Sequence, residues 1–160
     1  MRDAHLALIQ KFYSSFAEHD ATGMVACYHD ELQFSDPVFG ELDHQHACAM
    51  WHMLIERGGK ELVITFGDVQ ADDNEGTAAW EAIYLFSKSG RKVHNKIKAT
   101  FQFKGGKIIR HTDYFSFWKW SQMALGMPGA LLGWSPFLKK KVSAETLRVL
   151  KKYMAQNKAI

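Results

Sequence analysis

Apolar positions change their period once along this chain, and the change separates two kinds of structure. Up to about residue 58 they recur every three or four residues. Leu6, Ile9, Phe12, Tyr13 and Phe16 fall on one face of a predicted helix over 3–18, with Asp3 as its N-cap. Asp20 caps a second, short helix holding Met24, Val25 and Tyr28. Asp43 caps a third over about 44–57, with Ala47, Met50, Trp51, Leu54 and Ile55 inward and Gly58-Gly59 as its stop. From Leu62 the period becomes two: Leu62, Ile64 and Phe66 alternate with Val63, Thr65 and Gly67, and Asp72-Asp73-Asn74 makes a turn. Further strands follow over 77–86, 91–103 and from 107 to about 118, joined by Ser87-Lys88-Ser89-Gly90 and Gly105-Gly106. Connections this short join antiparallel neighbours, so the second half reads as a meander. Helices followed by a curled sheet define an α+β domain over 1–120. A C-terminal helical extension over 121–160 follows. Its apolar run Gln122–Trp134 breaks at Pro128, and Ser143 caps a last helix to about Asn157. The extension reads as a lid, a dimer arm or a helix packed on its own sheet.

Between the second and third helices, residues 31–36 form a short strand that places Leu32, Phe34 and Asp36 on one side. Pro37 cannot donate to a ladder and holds Asp36 extended, so the strand stops with the acid at its inner rim. Two readings stand: an Asx turn onto the backbone two residues on, or a carboxylate aimed at a pocket. Strand parity extends the second. Trp80, Ala82, Tyr84 and Phe86 share a face, as do Val93, Asn95, Ile97, Ala99, Phe101 and Phe103. Ile109, His111, Asp113, Phe115 and Phe117 share a third. If these are the inner faces, Asp36 meets Tyr84, Asn95, His111 and Asp113 in an aromatic cavity. His111 also has a plainer reading, a core histidine held by Asp113.

Composition narrows the choices. Over 160 residues, 47% hydrophobic and 23% charged content belongs to a globular chain with one core and excludes disorder. No run approaches the roughly 18 apolar residues of a membrane span, and residues 1–20 lack a basic segment followed by an apolar one, so a cytoplasmic location is expected. Cys27 and Cys48 have no CxxC or CxxH spacing and read as reduced thiols. The net charge of +3 is uneven, because seven Lys or Arg and one acid lie from Lys139 onward. They read as the solvated face of a helix: no nucleic-acid partner and no stable membrane association are expected, although Trp118, Trp120 and Trp134 near Lys139-Lys140-Lys141 keep a membrane-surface role in view. His44 and His46 lie two apart on a helix, pointing about 200° apart, and cannot share an ion. No phosphate loop, dinucleotide fingerprint or nucleophile elbow is present, so neither metal nor cofactor is expected.

The order of elements, with Asp36-Pro37-Val38 followed by Gly40 and hairpins at Gly90-Arg91-Lys92 and Gly106-Lys107-Ile108-Ile109, resembles the nuclear transport factor 2-like superfamily, in its SnoaL-like and ketosteroid isomerase-like branch, over roughly residues 5–118. The resemblance implies a cone-shaped, cystatin-like barrel around a blind pocket, a small apolar partner molecule and a homodimer formed through the outer sheet face. Asp36 stands where the isomerases carry their general base. Their two enolate donors fall on Phe12 and Ala99, which can donate nothing, so steroid isomerisation is not expected. SnoaL-like cyclases, with a His and Asp set on a late strand, fit better. The expected function is a small-molecule acid-base enzyme, an isomerase, cyclase, dehydratase or hydrolase acting on an apolar carbonyl, hydroxyl or epoxide compound. Asp36 is its expected base with His111 and Asp113 as partners, and Phe12, Trp51, Trp80, Tyr84, Asn95 and Phe115 bind substrate. The alternative is a non-catalytic ligand-binding or scaffold protein of the same fold.

Overall fold

A computed structural model describes residues 1–157. Three helices, α1 (Arg2–Ala17), α2 (Ala21–Val25) and α3 (His44–Gly58), are interleaved with and followed by a sheet of β1 (Tyr28–Asp36), β2 (Gly40–Asp43), β3 (Val63–Ala71), β4 (Glu75–Leu85), β5 (Lys92–Lys104) and β6 (Lys107–Tyr114). Helices α4 (Phe117–Leu125), α5 (Met127–Leu132) and α6 (Pro136–Gln156) complete it. The sheet order is β2-β1-β6-β5-β4-β3; β1 runs parallel to β6 and the other neighbours are antiparallel. The fold is the α+β, mainly antiparallel curled sheet that the pattern predicts.

Alternation fixes which face is covered. Along β5, Val93, Asn95, Ile97, Ala99 and Phe101 are buried while Lys92, His94, Lys96, Lys98 and Thr100 face water. Register shifts interrupt the ladders between Gly67 and Gln70 of β3 and between Gln102 and Phe103 of β5, and such bulges bend the sheet. Asp68 adopts φ of 50° within the first of them. Helix α1 lies against β3, and α3 lies against β1 and β2. Between helices and sheet sit Phe12, Phe16, Phe34, Met50, Trp51 and Phe101, all fully or nearly fully buried.

Local chemistry corrects the sequence reading at several ends. Met1, not Asp3, is the N-cap of α1; Asp3 lies in its first turn, where a carboxylate still favours the helix dipole. Tyr28 opens β1 instead of closing α2. Strand β6 stops at Tyr114, because Ser116 accepts from the Lys119 N–H and starts α4, which takes Phe117 and Trp118 out of the strand. The bulge opposite Phe103 turns Ile108 inward in place of Ile109, in step with His111 and Asp113. Pro128 does not break the apolar run: it sits in the first turn of α5, and the break is Gly126, at φ of 71°. Ser143 lies inside α6, which begins after Ser135 with Pro136 in its first turn. Asp20 and Asp43 do cap α2 and α3, accepting from the N–H groups of Gly23 and His46.

Candidate active site

Registers bring the polar residues of the interior to one end of the barrel. On β6, His111 pairs with Phe34 of β1 on one side and Phe101 of β5 on the other. Ser35 pairs with Thr112, so one position further on Asp36 and Asp113 run side by side on the inner face. Asp113 lies opposite Ala99, and Asn95 opposite Ala82; small partners leave space in front of each polar group. A cavity of about 740 Å³ opens there, bordered by Asp36, Trp51, Trp80, Tyr84, Asn95 and Asp113, with Phe115 further out.

Behind Asp113 runs a chain of buried hydrogen bonds. The Trp51 indole N–H can only donate, and it donates to the Tyr28 hydroxyl (2.9 Å). Tyr28 turns its own proton to His111 Nδ1 (2.8 Å), and the His111 Nε2–H donates to Asp113 Oδ1 (3.0 Å). This tautomer satisfies every donor in the chain. The Trp80 N–H reaches the same Oδ1 (3.2 Å), so two donors converge on one oxygen. His111 is wholly enclosed, 4.6 Å from the Phe101 ring centroid, 5.1 Å from Phe34 and 5.4 Å from Phe12, with Trp51 stacked beyond it. Burial pushes the Tyr28 phenol well above its ordinary range, so it stays a neutral hydroxyl that can donate.

Asp36 is held differently. Its Oδ1 accepts from the Val38 N–H (2.8 Å) and the Phe39 N–H (2.6 Å), forming the Asx-type turn of one sequence reading while the carboxyl still borders the cavity of the other. Loss of hydration in this apolar setting raises its pKa from 3.8 to about 7; the Phe39 and Val38 N–H groups oppose the rise, and the Asp113 charge adds to it. Tyr84 stands near it. Burial first, then the Asp36 charge, raises the Tyr84 phenol to about 12 against the pull of the Trp120 N–H, which donates to its oxygen (2.9 Å). The Tyr84 O–H proton is thereby left available to the cavity.

Helix α6 forms the outer wall. Leu138, Val142, Glu145 and Val149, at spacings of four, three and four, present one stripe to the cavity. Tyr153 donates to Glu56 of α3 (2.7 Å), and Lys88 of the β4–β5 turn reaches Glu145 (3.0 Å). The Ser89 hydroxyl and the Arg91 Nε–H donate to the carbonyls of Ala124 and Met123 and hold α4 to the same turn.

Of the residues expected at the site, Asp36, Trp51, Trp80, Tyr84, Asn95, Asp113 and Phe115 border the cavity, whereas Phe12 and His111 do not. Phe12 is covered on all sides by Tyr13, Tyr28, Trp51 and His111, and so is packing under the cavity floor rather than a surface for substrate. His111 reaches the cavity only through Asp113. Tyr28, Trp120 and the α6 stripe were missed. Tyr28 was not legible, because the β1–β6 register shifts between Tyr28 and Gln33 and Asp30 between them is exposed; Trp120 and α6 were not either, because their placement depends on how α4–α6 fold back. The two isomerase donor positions, Phe12 and Ala99, are both buried and apolar. Tyr13, next to Phe12, carries a buried hydroxyl without a partner among the described groups. His46 Nδ1 contacts Asp43 and His44 faces Cys48, so the two histidines point to separate partners. Cys27 and Cys48 are free and buried.

A helix-covered, curled sheet closed over a pocket with acids at its inner end defines the class of ketosteroid isomerase-like and cystatin-like folds. Within that class the chain belongs to the SnoaL-like family: the SnoaL-like domain model matches residues 9–111, from Ile9 in α1 to His111 in β6. No curated protein matches the sequence. Among solved structures, an LEH-like epoxide hydrolase of M. tuberculosis aligns with a TM-score of 0.63 at 14% identity, over 84% of this chain and 98% of its own. TsrD of Streptomyces laurentii aligns at 0.64 and 16% identity, over 79% and 98%. A protein of Catenulispora acidiphila with a ketosteroid isomerase-like fold, in complex with trimethylamine, aligns at 0.63 and 10% identity, over 77% and 95%. Identities this low establish the fold and leave the reaction to the site.

Proposed function

We propose that the cavity is the active site of an acid-base enzyme acting on a small apolar molecule that carries a carbonyl, hydroxyl or epoxide oxygen. The observation that carries this reading is the pair of carboxylates, Asp36 and Asp113, bordering one apolar cavity in unlike surroundings. Neighbouring acids whose environments differ can divide the roles of proton donor and acceptor. Asp113 is the base. The Trp80 and His111 N–H groups fix its Oδ1 and leave Oδ2 for the proton it takes. Asp36, with a pKa of about 7, is the acid that returns a proton to the substrate oxygen. This exchanges the roles that the sequence assigns, where Asp36 is the base. His111 positions Asp113 and steadies its charge from behind. Tyr84 and Asn95 orient the oxygen, and Trp51, Trp80 and Phe115 supply apolar contact.

Opening of an epoxide by water, proton shift next to a carbonyl and cyclisation all fit this pair. Turnover of a panel of apolar epoxides and ketones tests it. In the parent, kcat/KM is expected to fall below pH 7 or above it according to whether Asp36 enters as base or acid, and the assignment made above requires the fall to lie above. Asp113→Asn is expected to reduce kcat/KM by about 10²- to 10⁴-fold without loss of ligand binding. The fully enclosed His111 also suits a pocket that only binds. Ligand binding by the parent with no turnover across the panel, and the same binding by Asp113→Asn and Asp36→Asn, would establish that second reading.

A further inference from the structure

Outside the cavity, the strongest unexplained feature is the corner where α5 meets α6. Large apolar side chains stand in water there: Met127 is 72% exposed, Leu131 63%, Leu132 50%, Trp134 75% and Phe137 75%, with Trp118 of α4 at 42%. A single exposed side chain of this kind needs no explanation, but six within twenty residues form a patch. The patch is a built platform rather than a loose end. A Cβ on Gly129 would collide with the Ser121 backbone, and one on Gly133 with the Ser121 side chain, so α5 lies directly on α4. Both exposed indoles have their N–H groups satisfied internally. Trp118 donates to the Ala130 carbonyl (3.1 Å) and Trp134 to that of Leu131 (2.8 Å). Their rings can leave water without orphaning a donor.

Charge along the segment that carries the patch has one sign. Between Asp113 and Glu145 there is no acid, while Lys119, Lys139, Lys140 and Lys141 are all present. A second copy of this chain is a poor occupant. A twofold interface would set these lysines against their own counterparts with no carboxylate in the segment to separate them. An anionic surface with an apolar interior satisfies both halves of the patch at once, the lysines at its headgroups and the tryptophan, leucine and phenylalanine rims just below. No helix among the described residues is long and apolar enough to cross a membrane, so the contact would be interfacial.

We propose that the α5–α6 corner docks this protein onto anionic lipid bilayers, with Trp134, Phe137, Leu131 and Met127 entering the interface and Lys139 and Lys140 at the headgroups. This departs from the expectation of no stable membrane association and takes up the membrane-surface role that Trp118, Trp120 and Trp134 near Lys139-Lys140-Lys141 keep in view. Phe137 and Leu138 are consecutive, and Leu138 lines the cavity wall, so docking sets the α6 side of the cavity against the lipid. For a site that takes apolar molecules, as read above, that shortens the route from bilayer to cavity; the docking itself stands without the reaction.

Co-sedimentation with vesicles of phosphatidylcholine alone, and of phosphatidylcholine with phosphatidylglycerol, tests it. The protein is expected to bind the anionic vesicles, with a blue shift of tryptophan emission, and to leave the neutral ones in solution. Added salt weakens the binding. Lys139→Gln with Lys140→Gln lowers the bound-to-free ratio by about tenfold or more, since each basic residue near such a surface contributes about fivefold. Trp134→Ser with Phe137→Ser abolishes binding and the shift; circular dichroism melts unchanged from the parent show that both variants are folded. No binding to the anionic vesicles overturns the proposal, as does binding that survives both pairs of substitutions. A dimer by light scattering that Trp134→Ser dissociates also overturns it and assigns the patch to a second copy.

Discussion

Trp51 and Trp134 carry the same side chain into opposite settings. Trp51 is 2% exposed on α3, its N–H on Tyr28 and its ring against Phe12, Phe16, Phe34, Trp80 and His111. Trp134 is 75% exposed between α5 and α6, its N–H on a carbonyl three residues back. Both indoles satisfy their polar atom, so hydrogen bonding does not separate them. What differs is the partner of the ring: the core at the barrel end of the cavity, water at the α6 end. One region is built to hold polar groups in fixed positions, and the other has apolar surface to spare. Truncation should tell them apart sharply. Trp51→Ala removes a buried aromatic and leaves a cavity, at an expected cost of about 3–5 kcal/mol, whereas Trp134→Ala is expected within about 0.5 kcal/mol of the parent. Urea unfolding monitored by circular dichroism measures both, and equal costs would erase the contrast.

The next effect concerns the inner end alone and depends on pH. Asp36 moves from an ordinary 3.8 to about 7 in the fold, chiefly because burial disfavours its charge. The folded state therefore binds the Asp36 proton more tightly than the unfolded chain does. Its contribution is complete below about pH 4, declines as pH rises between the two values, and is gone above about 7. Asp36→Asn keeps an oxygen for the Val38 and Phe39 N–H groups and has no charge to bury. It should match the parent at pH 4 and exceed it at pH 8 by roughly 2–4 kcal/mol, the lower figure allowing for partial solvent access. A variant weaker than the parent at both values would mean that the carboxylate is held as an ion, and the role of acid would pass to another group.

Residues on the two sides of this comparison were not equally legible. The barrel end follows from a period of two. Asn95, Ile97, Ala99 and Phe101 share a face because strands alternate, and the same parity puts Asp36 inward after Leu32 and Phe34. Even so, parity could not separate His111 from Asp113, since both point inward; the parallel β1–β6 pairing and the aromatic shell decide that Asp113 meets the cavity and His111 lies behind it. Nor could it foresee the bulge that exchanges Ile109 for Ile108. At the α6 end a tertiary decision is missing from the local pattern. Ser116 stops β6 early, Gly126 turns the chain, and Gly129 and Gly133 seat α5 on α4 through close approaches that no periodicity encodes.

A smaller effect probes whether the inner hydrogen-bond chain acts as a unit. Tyr28→Phe deletes one oxygen and orphans two buried groups, the Trp51 N–H and His111 Nδ1. An unsatisfied buried partner costs about 1–3 kcal/mol, and here two share the loss without a cavity being formed. If the chain fixes the His111 tautomer, the ring nitrogens of Tyr28→Phe should shift in NMR spectra while those of the exposed His94 do not. Unchanged His111 resonances would reduce Tyr28 to packing.

The smallest expected effect returns to the outer helices and to a choice between two serines. Ser143 has the sequence of a helix start, yet it lies inside α6, and Ser135 is the residue whose Oγ accepts from the Phe137 N–H (3.2 Å). A cap is worth about 1 kcal/mol because it satisfies an N–H that the helix cannot. Ser135→Ala is therefore expected to lower stability by about that amount, with early amide exchange at Phe137 and Leu138. Ser143→Ala replaces a poor interior helix former with the best one and should gain a few tenths of a kcal/mol. The opposite order would place the start of α6 near residue 143. Leu138 and Val142 would then leave the helical stripe on the cavity, and the outer wall would begin a full two turns later.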